Sequence, residues 1–288
     1  MSFQITTAFV QQYRNNVIHL SQQQGSKLRS AVRVEPDITG KSYFFERIGA
    51  VAATQRTSRH GDTPLVSTAH TRRMVTLADY EWADLVDQQD KIRMLIDPQS
   101  EYVQAGVNAM GRAIDDVIVA GALGSVYEGE TGSTVTAFDT TNYQIAQGSA
   151  SLTLAKIAQA KRILQEADVQ DNELYMVVGP RQLEYLLVNV AEVKSSDYNT
   201  VKALMAGEIN TYYGFTWIIS TRLTKTGSDR DVIAFAKSGL GLAIGAEIKT
   251  EIDKRPDKSN ATQVYISMTL GSTRIEDAKV IWIKCLES

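Results

Sequence analysis

The sequence predicts a mixed α+β protein, and three observations carry that prediction. An apolar stripe at helical spacing runs through residues 97–124. Strand and helix patterns alternate between residues 173 and 236. The last fifty residues read almost entirely as strand. The chain of 288 residues, 43% apolar and 22% charged, is long enough and apolar enough to bury a substantial core.

In chain order, residues 8–24 place Phe9, Tyr13, Val17 and Leu20 at spacings of four, four and three, as an amphipathic helix does. Glutamines and asparagines crowd this stripe and leave it narrow. It suits either an arm (residues 1–30) that docks through these four residues or the first helix of a core. Residues 31–87 form a two-way excursion. Ala31 to Glu35 alternates, Pro36 to Gly40 turns, KSYFFERIGAV (41–51) reads as strand, and RRMVTLADYEWADLV (72–86) alternates throughout. Arms of about 20 residues would reach ~60 Å at ~3.3 Å each. A globule of this length has a radius of gyration near ~19 Å. A lone ribbon is marginal in water, so one this long needs another molecule to lie on.

Asp97 and Pro98 suit a helix start. Val103, Val107, Met110, Ile114, Val117 and Ile118 continue the stripe to Gly124, a rod of about 40 Å. Gly106, Gly111 and Gly121 weaken it by up to ~1 kcal/mol each, so packing must hold it straight. Residues 128–148 read as loop and 151–168 as helix. Strand 173–178, helices 180–190 and 198–209, and strands 215–220 and 231–236 follow. Strands over 241–252, 262–270 and 274–283 close the chain.

The segment RHGDTPLVSTAHTRR (59–73) holds two of the three histidines near the turn of the excursion. His60, Asp62 and His70 lack the convergent spacing of a metal site, and there is no HExxH or CxxC. Asp115-Asp116 and Glu81/Asp84/Asp87 read as solvent or interface charges rather than acid–base groups. No serine sits in a GxSxG elbow, and Cys285 is a lone thiol with no nearby histidine. GLGLAIG (239–245) follows a strand as a dinucleotide loop would, but AEIKTEID after it alternates like a strand. A turn between strands is therefore expected rather than a cofactor site. A nucleotide-dependent enzyme built on Gly239–Gly245 is the alternative from another class. Arg56, Arg59, Arg72 and Arg73 could meet phosphates, but no aromatic residue lies between Thr54 and Val75, and the formal net charge is −3. Pairing with an acidic surface of another copy, at Asp115 and Asp116, explains them better. No apolar run approaches the ~20 residues needed to cross a bilayer, and no membrane partner is expected.

Several stretches then carry a family resemblance. DPQSEYVQAGVNAMGRAIDDVIVAGALG (97–124) resembles the spine helix of tailed-bacteriophage major capsid proteins, which have the Hong Kong 97-type fold. YMVVGPRQLEYLL (175–187) and GEINTYYGFTWIISTRL (207–223) resemble their axial domain. AFAKSGLGLAIG (234–245) and LGSTRIEDAKVIWI (270–283) resemble the return strands of their peripheral domain.

The resemblance implies an N-terminal arm over 1–30 and an extended loop with its base over 31–87. It implies a first peripheral part over 88–170 with a spine helix at 98–123, an axial domain over 171–237, and peripheral return strands over 238–288. It further implies a structural subunit rather than an enzyme, with no catalytic residue, cofactor or metal. Such a subunit would form pentamers and hexamers of an icosahedral shell around a double-stranded DNA genome held without sequence-specific binding. Arg56, Arg59, His60, Asp62, His70, Arg72 and Arg73 would then sit at the loop tip, on a neighbour whose Glu101, Asp115 and Asp116 are candidate acceptors. A separate scaffolding protein and a portal are the other expected partners, with assembly in the host bacterial cytoplasm. An encapsulin-like shell is the related alternative. Lys41 lies near the base of the loop, and no covalent cross-link is expected.

Overall fold

The computed structural model describes residues 21–59, 62–63, 65–86, 99–169, 173–190 and 210–287. The stripe of Phe9, Tyr13, Val17 and Leu20, residues His60, Asp87, Asp97 and Pro98, and the helix expected over 198–209 lie outside them, as does the side chain of Glu101.

In chain order the elements are β1 (Arg33–Glu35), β2 (Ser42–Ile48), β3 (His70–Thr76), β4 (Ala78–Val86) and α1 (Gln99–Leu123). β5 (Val126–Glu128), β6 (Thr134–Thr136), β7 (Gln144–Ile145), α2 (Leu154–Glu166), β8 (Leu174–Val178) and α3 (Pro180–Val190) follow. The chain then forms β9 (Thr211–Tyr212), β10 (Phe215–Ile219), β11 (Lys225–Thr226), β12 (Asp229–Ala236), β13 (Leu240–Arg255), β14 (Ala261–Arg274) and β15 (Val280–Leu286).

The spine helix α1 has 25 residues and spans about 37 Å. Met110, Ile114, Ile118 and Ala122 are buried along it. They pack on a sheet of order β1-β13-β14-β4. The glycines that cost helix propensity lie at contacts. A Cβ on Gly106 would fall 2.5 Å from the Ile266 side chain, and one on Gly121 would fall 2.8 Å from the Ser272 backbone. Close packing against β14 thus repays what the helix loses locally.

The second sheet runs β7-β15-β12-β8-β10-β9, with β11 beside β12. Its central strand β8 lies between β12 and β10, and Met176, Val177 and Val178 are fully buried, so side chains on both of its faces are covered. Thr153 caps α2, its side chain accepting the backbone N–H of Lys156. The third sheet, β2-β3-β5-β6, forms the base of the excursion.

Several expectations need correction. Residues 72–86 are two strands, not one. The chain leaves β3 at Thr76, packs the half-buried Leu77 against the cluster of Phe45, Val75 and Ile275, and enters β4 on β14. The β2–β3 ladder joins seven residue pairs, about 23 Å, and ends at the bond from Gly49 N–H to Ala69 C=O. The paired ribbon is therefore much shorter than ~60 Å. Residues 128–148 are not all loop, since they contain β6 and β7. In GLGLAIG the turn is a 3-10 segment, Lys237–Gly239, and Gly241 and Gly245 lie inside β13. A Cβ on Gly241 would sit 2.5 Å from the Phe45 ring, so the glycine admits an aromatic side chain. Finally, a unit of return strands over 238–288 does not follow the sheets. β15 pairs antiparallel with β12, from Asp229↔Leu286 to Phe235↔Val280, and so closes the α/β sheet.

Candidate subunit interface

Beyond the β2–β3 ladder, the described residues of 50–69 make no strand pairing and lie almost wholly in solvent. Leu65 is 98% exposed and Ile48 70%, with Val51 and Val66 half out of the fold. A single exposed apolar side chain is ordinary, but four around one projection are a surface lacking its counterpart. Arg56, Arg59 and Asp62 are exposed here too, and Arg56 Nε donates only to Ser58 C=O, 2.8 Å away.

The other residues expected at the tip are at its base. His70 and Arg72 lie in β3 opposite Ile48 and Glu46. The Arg72 guanidinium stacks 4.9 Å from the Phe44 ring centroid. Arg73 is 1% exposed and is a structural group of its own subunit. Its Nε donates to Glu128 Oε1 at 2.6 Å, Nη2 to Asp277 Oδ2 at 2.5 Å, and Nη1 to Arg274 C=O at 3.0 Å. Parity explains the placement: Arg73 shares a face of β3 with buried Val75, which in a strand points the same way.

A network that the sequence did not reveal surrounds Arg73. Arg274, fully buried, donates through Nε to Asp277 Oδ1 at 2.5 Å and through Nη1 to the carbonyls of Ala122 and Gly124 at 2.8 and 3.0 Å. It therefore caps the negative end of α1. Arg47 adds bonds to Ile275 C=O and Glu128. Burial opposes ionisation of Asp277 and Glu128, yet the hydrogen bonds from Arg73 and, for Asp277, Arg274 outweigh it. Both carboxyls stay below the usual carboxylate range. Burial pushes the Arg274 guanidinium down from its ordinary value. The charges weld the hairpin base, β5 and the end of α1 into one block. Arg274 and Asp277, three apart at the end of a strand pattern, were the only local signal.

Two of the expected acceptors on α1, Asp115 and Asp116, have partners within the chain. Asp115 is 0% exposed and accepts from Gln23 Nε2 at 2.6 Å, Ser26 Oγ at 2.5 Å, and the backbone N–H groups of Lys27 and Leu28. Asp116 makes a two-pronged pair with Arg222. Asp115 is buried and cannot serve a neighbour, so its assignment as an acceptor is corrected, whereas Asp116 is half-exposed and already shared with Arg222. Instead, Asp115 seats residues 23–28 on α1, where the chain of the expected arm leaves the body.

Among the described residues no three His, Cys, Asp or Glu side chains group as a metal site would require. No described helix is long and apolar enough to cross a membrane. The strand that follows Gly239 also removes the βαβ context a dinucleotide loop needs.

A long helix on an antiparallel sheet, a separate α/β sheet and a projecting hairpin together define the fold of a phage capsid subunit. The structure is similar to that of the capsid of cyanophage P-SCSP1u, with a TM-score of 0.74 and 16% identity over 99% of this chain and 95% of that one. The capsid of Ralstonia phage GP4 gives 0.73 and 11% over 97% and 96%. The capsid of cyanophage Pam1 gives 0.70 and 15% over 99% and 98%. No curated protein matches. The chain belongs to the phage capsid protein family, whose description, "Phage capsid protein", it matches over residues 5–287. Its homologues are structural proteins of the phage capsid.

Proposed function

We propose that this protein is the major capsid protein of a tailed bacteriophage. In this reading it assembles into pentamers and hexamers of an icosahedral shell that encloses double-stranded DNA. The observation that carries the reading is the described part of the projection at 49–69, with Leu65 98% exposed and almost every described residue of 50–69 in solvent. Such a segment gains burial only from a neighbour, and a heterologous contact of that kind closes into rings when its rotation permits. Many modest contacts then add up to a stable shell. The mildly acidic chain, with a net charge of −3, suits a container that holds DNA without gripping it. A separate scaffolding protein and a portal complete the proposed partners, and assembly takes place in the host cytoplasm.

Deletion of residues 55–68 tests the reading. The shortened chain is expected to fold, because the β2–β3 ladder and the Arg73 network lie outside the deletion, but not to form closed particles by electron microscopy. Closed particles from the deletion variant would refute the role of the loop. Nuclease treatment of particles from infected cells should leave genome-length DNA protected. Particles holding protein cargo and no DNA would favour the encapsulin-like alternative instead.

A further inference from the structure

With Asp115 buried and Asp116 paired to Arg222, the structure offers the arginines of the projecting loop a freer acidic surface. The β1-β13-β14-β4 sheet packs on α1 through one face. Its opposite face, where β4, β14 and β13 lie side by side, stands open. Alternation places Asp79, Glu81 and Leu85 on that face of β4, and all three are exposed. Across the central strand, register sets Glu251 opposite Tyr265 and Asp253 opposite Gln263. The Glu81 carboxylate accepts the Tyr265 hydroxyl, which holds the phenol pKa above its usual value. Lys249 is the cation beside these groups, and Arg255 is occupied by Asp257 and Gln263. Glu251 and Asp253 form no ion pair among the described residues.

We infer that this acidic sheet face receives the Arg56–Arg59 segment of the extended loop of a second copy of the chain. The inference rests on the shell reading and names the surface that reading lacks. Three points favour this occupant. The charges are complementary, because Arg56 and Arg59 are exposed and form no ion pair among the described residues. The reach agrees: Glu81 and Glu251 lie two strands apart and two residues out of line, roughly 12 Å, a span that two long arginine side chains in a segment bending at Ser58 can bridge. Leu85 and the Tyr265 ring, on the same face, give Val51, Leu65 and Val66 apolar surface to cover. The same carboxylates repel phosphates, so nucleic acid does not fit this face.

The test is a charge swap in the full chain. Glu81→Arg with Glu251→Arg should lower particle yield by about tenfold or more, as should Arg56→Glu with Arg59→Glu. Combining all four substitutions should restore yield to within about twofold of the starting protein, because the pairs re-form with reversed sign. All four side chains are exposed, and unchanged thermal melts of the unassembled subunits will separate an assembly defect from misfolding. If the sheet variant assembles normally while deletion of 55–68 blocks assembly, the loop docks elsewhere; this inference fails and the shell reading stands. If the sheet variant is defective but the combination does not restore assembly, the face meets a different partner and the inference also fails. If the deletion itself forms closed particles, the loop reading beneath both falls.

Discussion

The carboxylate of Asp115 accepts the backbone N–H of Leu28 at 3.1 Å, across 87 positions of sequence. Beside it the backbones of Gly111 and Gly25 touch, so that a Cβ on Gly111 would lie 2.6 Å from the Gly25 Cα. A buried acid in mid-helix is stabilised here because it satisfies the N–H groups of a chain that has not yet begun its own structure.

Asp115→Ala leaves those N–H groups buried without partners and should cost about 2–4 kcal/mol, read from urea denaturation. Limited proteolysis should also begin to cut between residues 21 and 28. Gly111→Val should open the same segment by steric clash, with Asp115 intact.

Arg73→Ala leaves Asp277 with Arg274 and Glu128 with Arg47 but removes the side chain that joins them, and should destabilise the protein by about 2–4 kcal/mol. Arg73→Lys should recover only a minority of that, because one ammonium cannot reach two carboxylates and a carbonyl in fork geometry. Thermal melts of the three proteins will decide.

Glu287 is held by Arg230 through two bonds of 2.7 and 3.0 Å, and by Gln182 and Lys225. Above all, the hydrogen bonds from Arg230 bring its carboxyl from an ordinary 4.5 down to about 2. A depressed folded value means that this stabilisation is complete above pH 4.5 and is lost as the pH falls through about 2. Glu287→Gln should therefore cost about 2–3 kcal/mol at neutral pH. Its denaturation midpoint should converge with that of the parent protein as the pH is lowered across that window.

Cys285 is fully buried in β15, and burial pushes its thiol up to about 12. Iodoacetamide at pH 8 should leave it unmodified in the folded chain, as measured by mass. Labelling should appear only with denaturant, in step with loss of near-ultraviolet circular dichroism.

Gly241→Ala pushes a methyl group into the Phe45 ring and should destabilise by about 1–3 kcal/mol. Phe45→Ala in the same chain should reduce that penalty, and this coupling would place the effect in packing between the hairpin base and β13.

Element type was legible wherever one period met one environment. The stripe over 97–124 became α1 at Gln99–Leu123, and the pattern over 180–190 became α3 at Pro180–Val190. Strand partnership was not legible. Residues 72–86 alternate without a break, because two strands on different sheets show the same period as one long strand, and nothing marks Leu77 as the crossing point. The candidate interface divides in the same way. Arg56, Arg59 and Asp62 lie in the exposed loop, as their polar surroundings suggested. Arg73 lies within a network whose members come from four separate segments.

By itself the sequence determined the class of fold and the positions of its long helix and most strands, while it overstated the paired length of the excursion. The tertiary structure alone decided that β15 closes the α/β sheet, that Asp115 binds residues 23–28, and that β4, β14 and β13 expose an acidic face. The reason is one of range. Backbone periodicity is set by neighbours a few residues apart. Which strands pair and which charges meet depends on contacts between residues as much as 228 positions apart, as with Arg47 and Ile275, and no local pattern records them.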